Sequence, residues 1–164
     1  GMTPRYFVEY LGDVEVESFG ISHDAREPMA FCFHHAGRKL GIATDLGYVS
    51  EKIKGILRGA HALIFEANHD VHMLRMGPYP WHVKQRILSD VGHLSNEDSG
   101  EALAEIITEA TTRVYLAHRS QDNNMLELAR MTVEQILKEA GIEVGHQVVL
   151  HDTYPDRPTS LVAV

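Results

Sequence analysis

Histidine and acidic residues stand at the ends of several predicted strands of this chain. They lie far apart in the sequence and comprise His23, Asp45, Glu66, His93 and His118. Because ligands bind at the carboxyl ends of strands in α/β sheets, folding can bring such residues to one site. Histidine and aspartate together suit a divalent ion such as Zn²⁺, Mn²⁺ or Fe²⁺. The pattern therefore indicates a metal site, where an ion would lower the pKa of a bound water and make it a nucleophile.

The same residue types also have structural explanations. His23 suits a turn, Asp45 suits the cap of a helix, and Glu66 suits a charged strand end. The chain contains no HExxH or CxxC motif. Spacing alone therefore leaves a metal site and ordinary structural roles both open.

Two of the candidate histidines flank one predicted helix and strand. Ser95, followed by Asp98, predicts the cap of a helix that begins just after His93. The apolar face of this helix has helical spacing and consists of Leu103, Ile106, Ile107 and Ala110. A short apolar run at 114–117 then predicts a strand that ends on His118 and is followed by a polar turn at 119–124. His93 and His118 are therefore candidates for one site.

The remaining elements are predicted from period-two runs, apolar runs and helical spacing. Strands are expected at 5–10, 13–22, 29–35, 40–43, 62–65, 148–150 and 161–164, and helices at 49–59, 80–91 and 124–140. A hairpin and strands come first, and α and β elements then alternate. This order predicts one sheet with helices on it, in an α/β or α+β arrangement, as a single domain over residues 1–164. Gly1 before Met2 is typical of a residue left by tag removal and is set aside.

Composition limits the class of protein. A chain of 164 residues with 44% hydrophobic residues suits one globular domain with a core. The net charge of −8 argues against a broad basic surface for nucleic acid. The sequence has neither an apolar run of transmembrane length nor a signal-peptide pattern. The single cysteine, Cys32, suits a buried position in a reducing compartment, so a cytoplasmic protein without membrane contact is expected.

Six segments, in order along nearly the whole chain, resemble the YycJ/WalJ group of metallo-β-lactamase-fold hydrolases. They are GISHDA (20–25), IATDLGYVS (42–50), IFEANHD (64–70), MLRMGPYPW (73–81), GHLSNED (92–98) and LAHRSQDNN (116–124). More distantly, the chain resembles tRNA 3′-processing ribonucleases and cyclic phosphodiesterases of the same fold.

The resemblance implies an αββα sandwich with a two-metal site at the sheet edge. By position, His23 matches a ligand of the first ion, Asp45 the bridging aspartate and His118 a ligand of the second ion. His93 matches the histidine that contacts the scissile phosphate and assists the leaving group, and Glu66 matches the carboxylate that orients it. The implied ions are zinc or manganese, with iron as a further candidate.

The HxHxDH motif of that family does not occur in this chain. We therefore expect the chain to correspond to the C-terminal half of the sandwich, with three of the family's metal ligands and no activity on its own. Part of an apolar sheet surface would then be uncovered, which predicts either self-pairing as a homodimer or excision from a longer protein.

The function implied by the resemblance is a metal-dependent phosphodiesterase that acts on nucleic acid as a DNA exonuclease. Arg75 and the polar-turn residues Ser120 and Asn123 are candidate substrate contacts. Lys84 and Arg86 are further candidates for phosphate contacts. For all three basic residues, a solvated helix face is the alternative. A non-catalytic remnant or interaction module is the competing hypothesis. A hydrolase of thioesters or lactams is a third, which the pairing of Glu66 with His93 disfavours.

Overall fold

The computed structural model describes residues 6–21 and 29–164. Within them, seven strands form a single sheet: β1 Tyr6–Leu11, β2 Val14–Gly20, β3 Met29–His35, β4 Arg38–Ala43, β5 Ala62–Glu66, β6 Arg113–Ala117 and β7 Val149–Asp152. The strands are arranged in chain order. β1 to β4 pair antiparallel, whereas β4 to β7 pair parallel. The sheet is therefore mixed, with its parallel half at the C-terminal side.

Helices connect the parallel strands, because such strands need a crossover rather than a tight turn. They are α1 Glu51–Leu57, α2 Val71–Met76, α3 Trp81–Ile87, α4 Asn96–Ile106 and α5 Leu126–Glu139. Among the residues described, none of these helices has the length and apolarity that crossing a bilayer requires.

The buried core lies between the sheet and three of the helices. α1, α4 and α5 contribute Leu57, Leu103 and Val133. From the sheet, Phe65 of β5 and Val114 of β6 meet them, together with neighbouring apolar residues. This packing fixes the parallel strands, and with them the positions of the residues at their carboxyl ends.

The opposite face of the sheet is also apolar but only partly buried. Val16, Phe33 and Leu40 are aligned across β2, β3 and β4, and each is half-buried. The next aligned row contains Phe31, Ile42 and Ile64. The C-terminal end of the chain reaches this face, where Val164 lines a cavity with Val14, Phe33 and Leu40. The expected apolar sheet surface is therefore present.

The mixed α/β sheet with helices confirms the predicted fold class. Helix α2 was not predicted; it has six residues, and the Asp70 side chain caps it by accepting from Met73 N at 2.7 Å. Helix α3 ends at Ile87 rather than near Val91, because a turn in which Gly92 N donates to Ser89 O at 2.9 Å replaces its last predicted turn. The predicted strand at 161–164 does not form. Instead, the Arg113 guanidinium donates a hydrogen bond to the Ala163 carbonyl oxygen.

Candidate metal centre

Four candidate residues meet at the carboxyl edge of the parallel strands. Asp45 follows β4, Glu66 ends β5, His118 follows β6 and His93 precedes α4. Their ligand-type atoms all lie within 4.8 Å of one another. The parallel pairing of these strands accounts for the convergence, since it places their carboxyl ends side by side. His23, the fifth candidate, lies outside the described residues.

Glu66 is the centre of this cluster. Its side chain is fully buried, and its Oε1 accepts from His93 Nδ1 at 2.8 Å and from His118 Nδ1 at 2.7 Å. The other oxygen, Oε2, accepts from the Leu46 backbone N–H at 2.6 Å. Because an ionised carboxylate only accepts hydrogen bonds, both imidazoles must carry a proton on Nδ1. Nε2 is then the ring nitrogen that would bind a metal or transfer a proton.

These contacts set the charge of the cluster. Burial alone would raise the pKa of Glu66, but hydrogen bonds from His118, His93 and Leu46 together outweigh it and lower that pKa. The hydrogen bond to Glu66 raises the pKa of His118, against a smaller opposing effect of burial, and the charges of Glu66 and Asp45 add to the rise. The site therefore holds an ionised carboxylate beside the His118 imidazole, whose charged form this carboxylate stabilises.

The backbone of two site residues is strained. Asp45 has φ +61° and His118 has φ +54°, in the left-handed region that non-glycine residues rarely adopt. Such a conformation costs about 1–3 kcal/mol and persists only where the surroundings enforce it. It leaves Asp45 Oδ1 3.5 Å from His118 Nδ1 and 3.9 Å from His93 Nδ1.

The loop after β5 ties the two histidine loops together. The Asn68 backbone N–H donates to Leu94 O at 2.9 Å, next to His93. The Asn68 side chain donates from Nδ2 to His118 O at 2.7 Å, and the Asn68 backbone carbonyl accepts from Ser120 N at 2.7 Å. One residue thus positions both histidines relative to Glu66.

A pair of buried asparagines supports the same region. Asn96 and Asn124 exchange side-chain hydrogen bonds of 2.9 Å and 2.8 Å, and Asn124 Nδ2 also donates to Ala67 O. Asn68, Asn96 and Asn124 were not among the predicted site residues, although each lies in a segment that carries the family resemblance. Burial lowers the pKa of the neighbouring His69 to about 4, so this ring is neutral near pH 7.

Two glycines permit close backbone contacts beside the site. A Cβ atom on Gly47 would lie 1.8 Å from Asp90 O, and one on Gly92 would lie 2.1 Å from Ile87 O. A side chain at position 47 would push apart the loop of Asp45 and the segment before His93, and one at position 92 would collide with the C-terminal end of α3. Glycine is therefore required at both positions for steric reasons.

The predicted substrate contacts occupy different environments. Arg75 is exposed on the last turn of α2. Ser120 is half-buried, and its Oγ accepts from Asn123 N at 3.1 Å. Asn123 is only 1% exposed. Ser120 and Asn123 lie on the turn that follows His118, and a substrate role stays a prediction for all three residues.

Lys84 occupies neither of its expected positions, which were a phosphate contact and a solvated helix face. It is buried, and its Nζ donates to Arg75 O at 2.7 Å and to Gly77 O at 2.6 Å. It thereby satisfies carbonyl groups at the C-terminal end of α2, where a positive charge is favourable. A phosphate contact by Lys84 would require these hydrogen bonds to break.

The donor set of the cluster fits a divalent metal ion. Two carboxylates and two imidazoles are the ligands that zinc, manganese and iron accept. The hydrogen bonds of Glu66 to both rings also match the arrangement in which a carboxylate orients histidine ligands.

Comparisons with known proteins find both similar sequences and similar folds. No protein-family model matches the chain. It is 58% identical over 154 residues to exodeoxyribonuclease YycJ of Bacillus anthracis, covering 94% of this chain and 58% of that protein. It is 46% identical over 154 residues to exodeoxyribonuclease WalJ of Streptococcus pneumoniae, covering 94% of this chain and 57% of that protein. The chain thus spans less than two thirds of the length of these curated relatives.

Solved structures with low sequence identity share the fold. The metallo-β-lactamase fold protein YhfI from Bacillus subtilis has 13% identity and a TM-score of 0.63, with 90% of this chain and 49% of that one covered. Zn²⁺-bound PqqB from Methylobacterium extorquens has 19% identity and a TM-score of 0.57, with 92% and 48% covered.

Proposed function

We propose that this chain, a homologue of the YycJ and WalJ exodeoxyribonucleases with the metallo-β-lactamase fold, is the part of a metal-dependent DNA nuclease that supplies its proton-transfer group. One observation carries the proposal: a fully buried Glu66 carboxylate accepts hydrogen bonds from His93 and His118 beside Asp45. A cationic imidazole next to a metal-ligand set suits phosphodiester cleavage, in which negative charge builds up on oxygen.

In this proposal Asp45 and His118, with His23, hold divalent ions. Two zinc or manganese ions, or iron, would neutralise charge on the phosphate and lower the pKa of an attacking water. His93 then donates a proton from Nε2 to the departing alkoxide. Glu66 accepts the hydrogen bond from His93 Nδ1–H and thereby orients the ring for that proton transfer.

The Glu66–His93 pair favours phosphodiesters over thioesters or lactams as the substrate class. Cleavage of an alkyl phosphodiester expels a basic alkoxide, which needs a proton as it leaves. A hydrolase of thioesters or lactams does not require this pair. The proposal assigns the substrate contacts to Arg75, Ser120 and Asn123.

The activity is proposed for the longer protein rather than for this chain alone. The resemblance implies HxHxDH ligands, which this sequence does not contain, and we propose that the chain is the C-terminal portion of the sandwich. The apolar sheet face around Phe33 and Leu40 favours a second candidate function, that of a non-catalytic interaction module.

Metal content of the purified chain tests the proposed site. We expect near-stoichiometric zinc, manganese or iron by elemental analysis, and loss of that metal in Asp45→Ala. Asp13→Ala is the matched control, because Asp13 is an exposed carboxylate 3.5 Å from His35 and distant from the site. Absence of metal from the wild-type chain, or equal loss in the control, would contradict a metal site assembled by this chain.

Self-pairing is proposed to cover the apolar sheet face when no other segment does so. Burying the half-exposed row of Val16, Phe33 and Leu40 would remove apolar surface from water at about 25 cal/mol per Å². Light scattering should therefore give a mass above that of one 18.4 kDa chain, and Phe33→Asp should return it to the monomer. A wild-type monomer at high concentration would contradict self-pairing.

A further inference from the structure

Residues 71–91, here called the α2–α3 segment, contact all three loops that carry the described site residues. At its middle, Tyr79 OH donates to Asp122 Oδ2 at 2.9 Å, on the loop after His118. At its end, the carbonyl of Asp90 lies against Gly47, on the loop after Asp45. The carbonyl of Ile87 accepts from His93 N at 3.1 Å. The segment therefore borders the site and is held in place by it.

Large apolar side chains are exposed on this segment. Trp81, the first residue of α3, is 64% exposed, and Met76 at the end of α2 is 75% exposed. Leu88 and Val91 are also exposed, as is Tyr48 on the loop after Asp45. Single exposed apolar residues are ordinary, but a group of them beside a site is typical of an interaction surface.

The segment is also basic within an acidic chain. Its charged residues are Arg75, Lys84 and Arg86 against one acid, Asp90, a formal charge of +2 in a chain of net charge −8. Lys84 donates hydrogen bonds to carbonyl groups inside the fold. Arg75 and Arg86 are exposed to solvent. A polyanion would be repelled by most of this chain and attracted at the segment that borders the site.

We propose that the α2–α3 segment binds single-stranded DNA, with a base stacked on the Trp81 indole and the backbone phosphates beside Arg75 and Arg86. This inference rests on the proposed nuclease function and names the surface that guides its substrate. Aromatic side chains that stack bases, combined with cationic groups along the backbone, are the general means of binding single strands without sequence preference. Stacking requires an unpaired base, so a single-stranded region is the form that fits.

Trp81 is the only tryptophan of the chain, so its fluorescence reports directly on the proposed contact. We would titrate the chain with oligo(dT) of about 12 nucleotides, within the usual site size for such surfaces, in EDTA to prevent cleavage. Saturable quenching that weakens as salt is raised is expected. A matched duplex should quench less, because its bases are already stacked.

Substitutions separate stacking from general charge attraction. By anisotropy of a labelled oligo(dT), Trp81→Ala should weaken binding by about 5- to 150-fold, the range expected for loss of one stacked base, and Trp81→Phe should restore part of it. Arg75→Gln should weaken binding and reduce the salt dependence. Arg38→Gln is its matched control, since Arg38 is an exposed arginine at the start of β4, at the opposite end of the strand from Asp45. It should change neither.

Several results would overturn the proposal. They are no binding of oligo(dT), binding that leaves Trp81 fluorescence unchanged, and equal effects of Arg75→Gln and Arg38→Gln. Preference for a peptide or a duplex would also overturn it.

Asp45→Ala distinguishes this proposal from the nuclease function: it should lose metal and still show quenching of Trp81 fluorescence by oligo(dT). Quenching of Trp81 fluorescence, together with no nuclease activity in a longer relative, would contradict the proposed nuclease function alone. Nuclease activity in that relative without quenching of Trp81 would contradict the binding surface alone.

Discussion

Replacing Glu66 by glutamine is expected to weaken divalent-metal binding by about 10- to 100-fold, the usual effect of removing a carboxylate that orients histidine ligands. Three N–H groups point at the two oxygens of Glu66, from His93, His118 and Leu46. Glutamine offers one oxygen, and its NH₂ group would face a donor. One buried donor would then be unpaired, which costs about 1–3 kcal/mol.

Glu17→Gln provides a matched control for that substitution. Glu17 accepts a hydrogen bond from His34 Nε2 on the β2–β3 pair, away from the metal centre. Titration calorimetry with Zn²⁺ or Mn²⁺ on the wild type and both variants measures the effect. Unchanged affinity in Glu66→Gln would show that the carboxylate does not organise the site. Equal losses in both variants would point to a general loss of stability.

The same substitution should alter the pH dependence of stability in the metal-free chain. The lowered pKa of Glu66 gives a contribution that is present above an ordinary carboxyl pKa near 4.3 and is lost as pH falls through the folded value. The raised pKa of His118 gives a contribution that is present below about 6.5 and is lost as pH rises through its folded value. Together these contributions give a maximum in the free energy of unfolding between about pH 4.3 and 6.5. Glu66→Gln should flatten this maximum, as measured by denaturant unfolding at a series of pH values.

Local sequence signals predicted much of the framework around the site. The cap formed by Ser95, with Asp98 N donating to its Oγ at 3.0 Å, and the buried strand that ends at Glu66 were both recognisable from nearby residues. Helix α2 was missed because six residues are too few for a periodic pattern, and its capping residue Asp70 lies in a loop motif.

Contacts between distant residues could not be predicted from the same signals. His93 and His118 lie 27 and 52 residues after Glu66, and nothing in the spacing indicates that both rings share one carboxylate oxygen. The inward turn of Lys84 and the approach of Gly47 to Asp90 O likewise depend on how α3 packs against its neighbours. Spacing indicated a set of residues that can meet, and packing determined which of their atoms contact each other.

Replacing His93 by alanine is expected to slow cleavage of DNA by about 100- to 10,000-fold, the usual contribution of a general acid or base, and to leave metal content unchanged. His118→Ala is the matched comparison, because both rings contact the same oxygen of Glu66. Since we assign His118 to the metal, this variant should lose both metal and activity. Cleavage would be measured in a longer relative such as YycJ of Bacillus anthracis, with metal content measured in parallel in the relative and in this chain.

The leaving group provides the sharper test of the role of His93. A nitrophenolate departs without protonation, whereas the alkoxide of DNA requires a proton. The defect of His93→Ala should therefore be much smaller with bis(p-nitrophenyl) phosphate than with DNA, whereas the defect of His118→Ala should be similar with both. Equal defects of His93→Ala on the two substrates, or loss of metal from that variant, would remove the proton-donor role from His93. Its contact with Glu66 would then serve the metal, as that of His118 does.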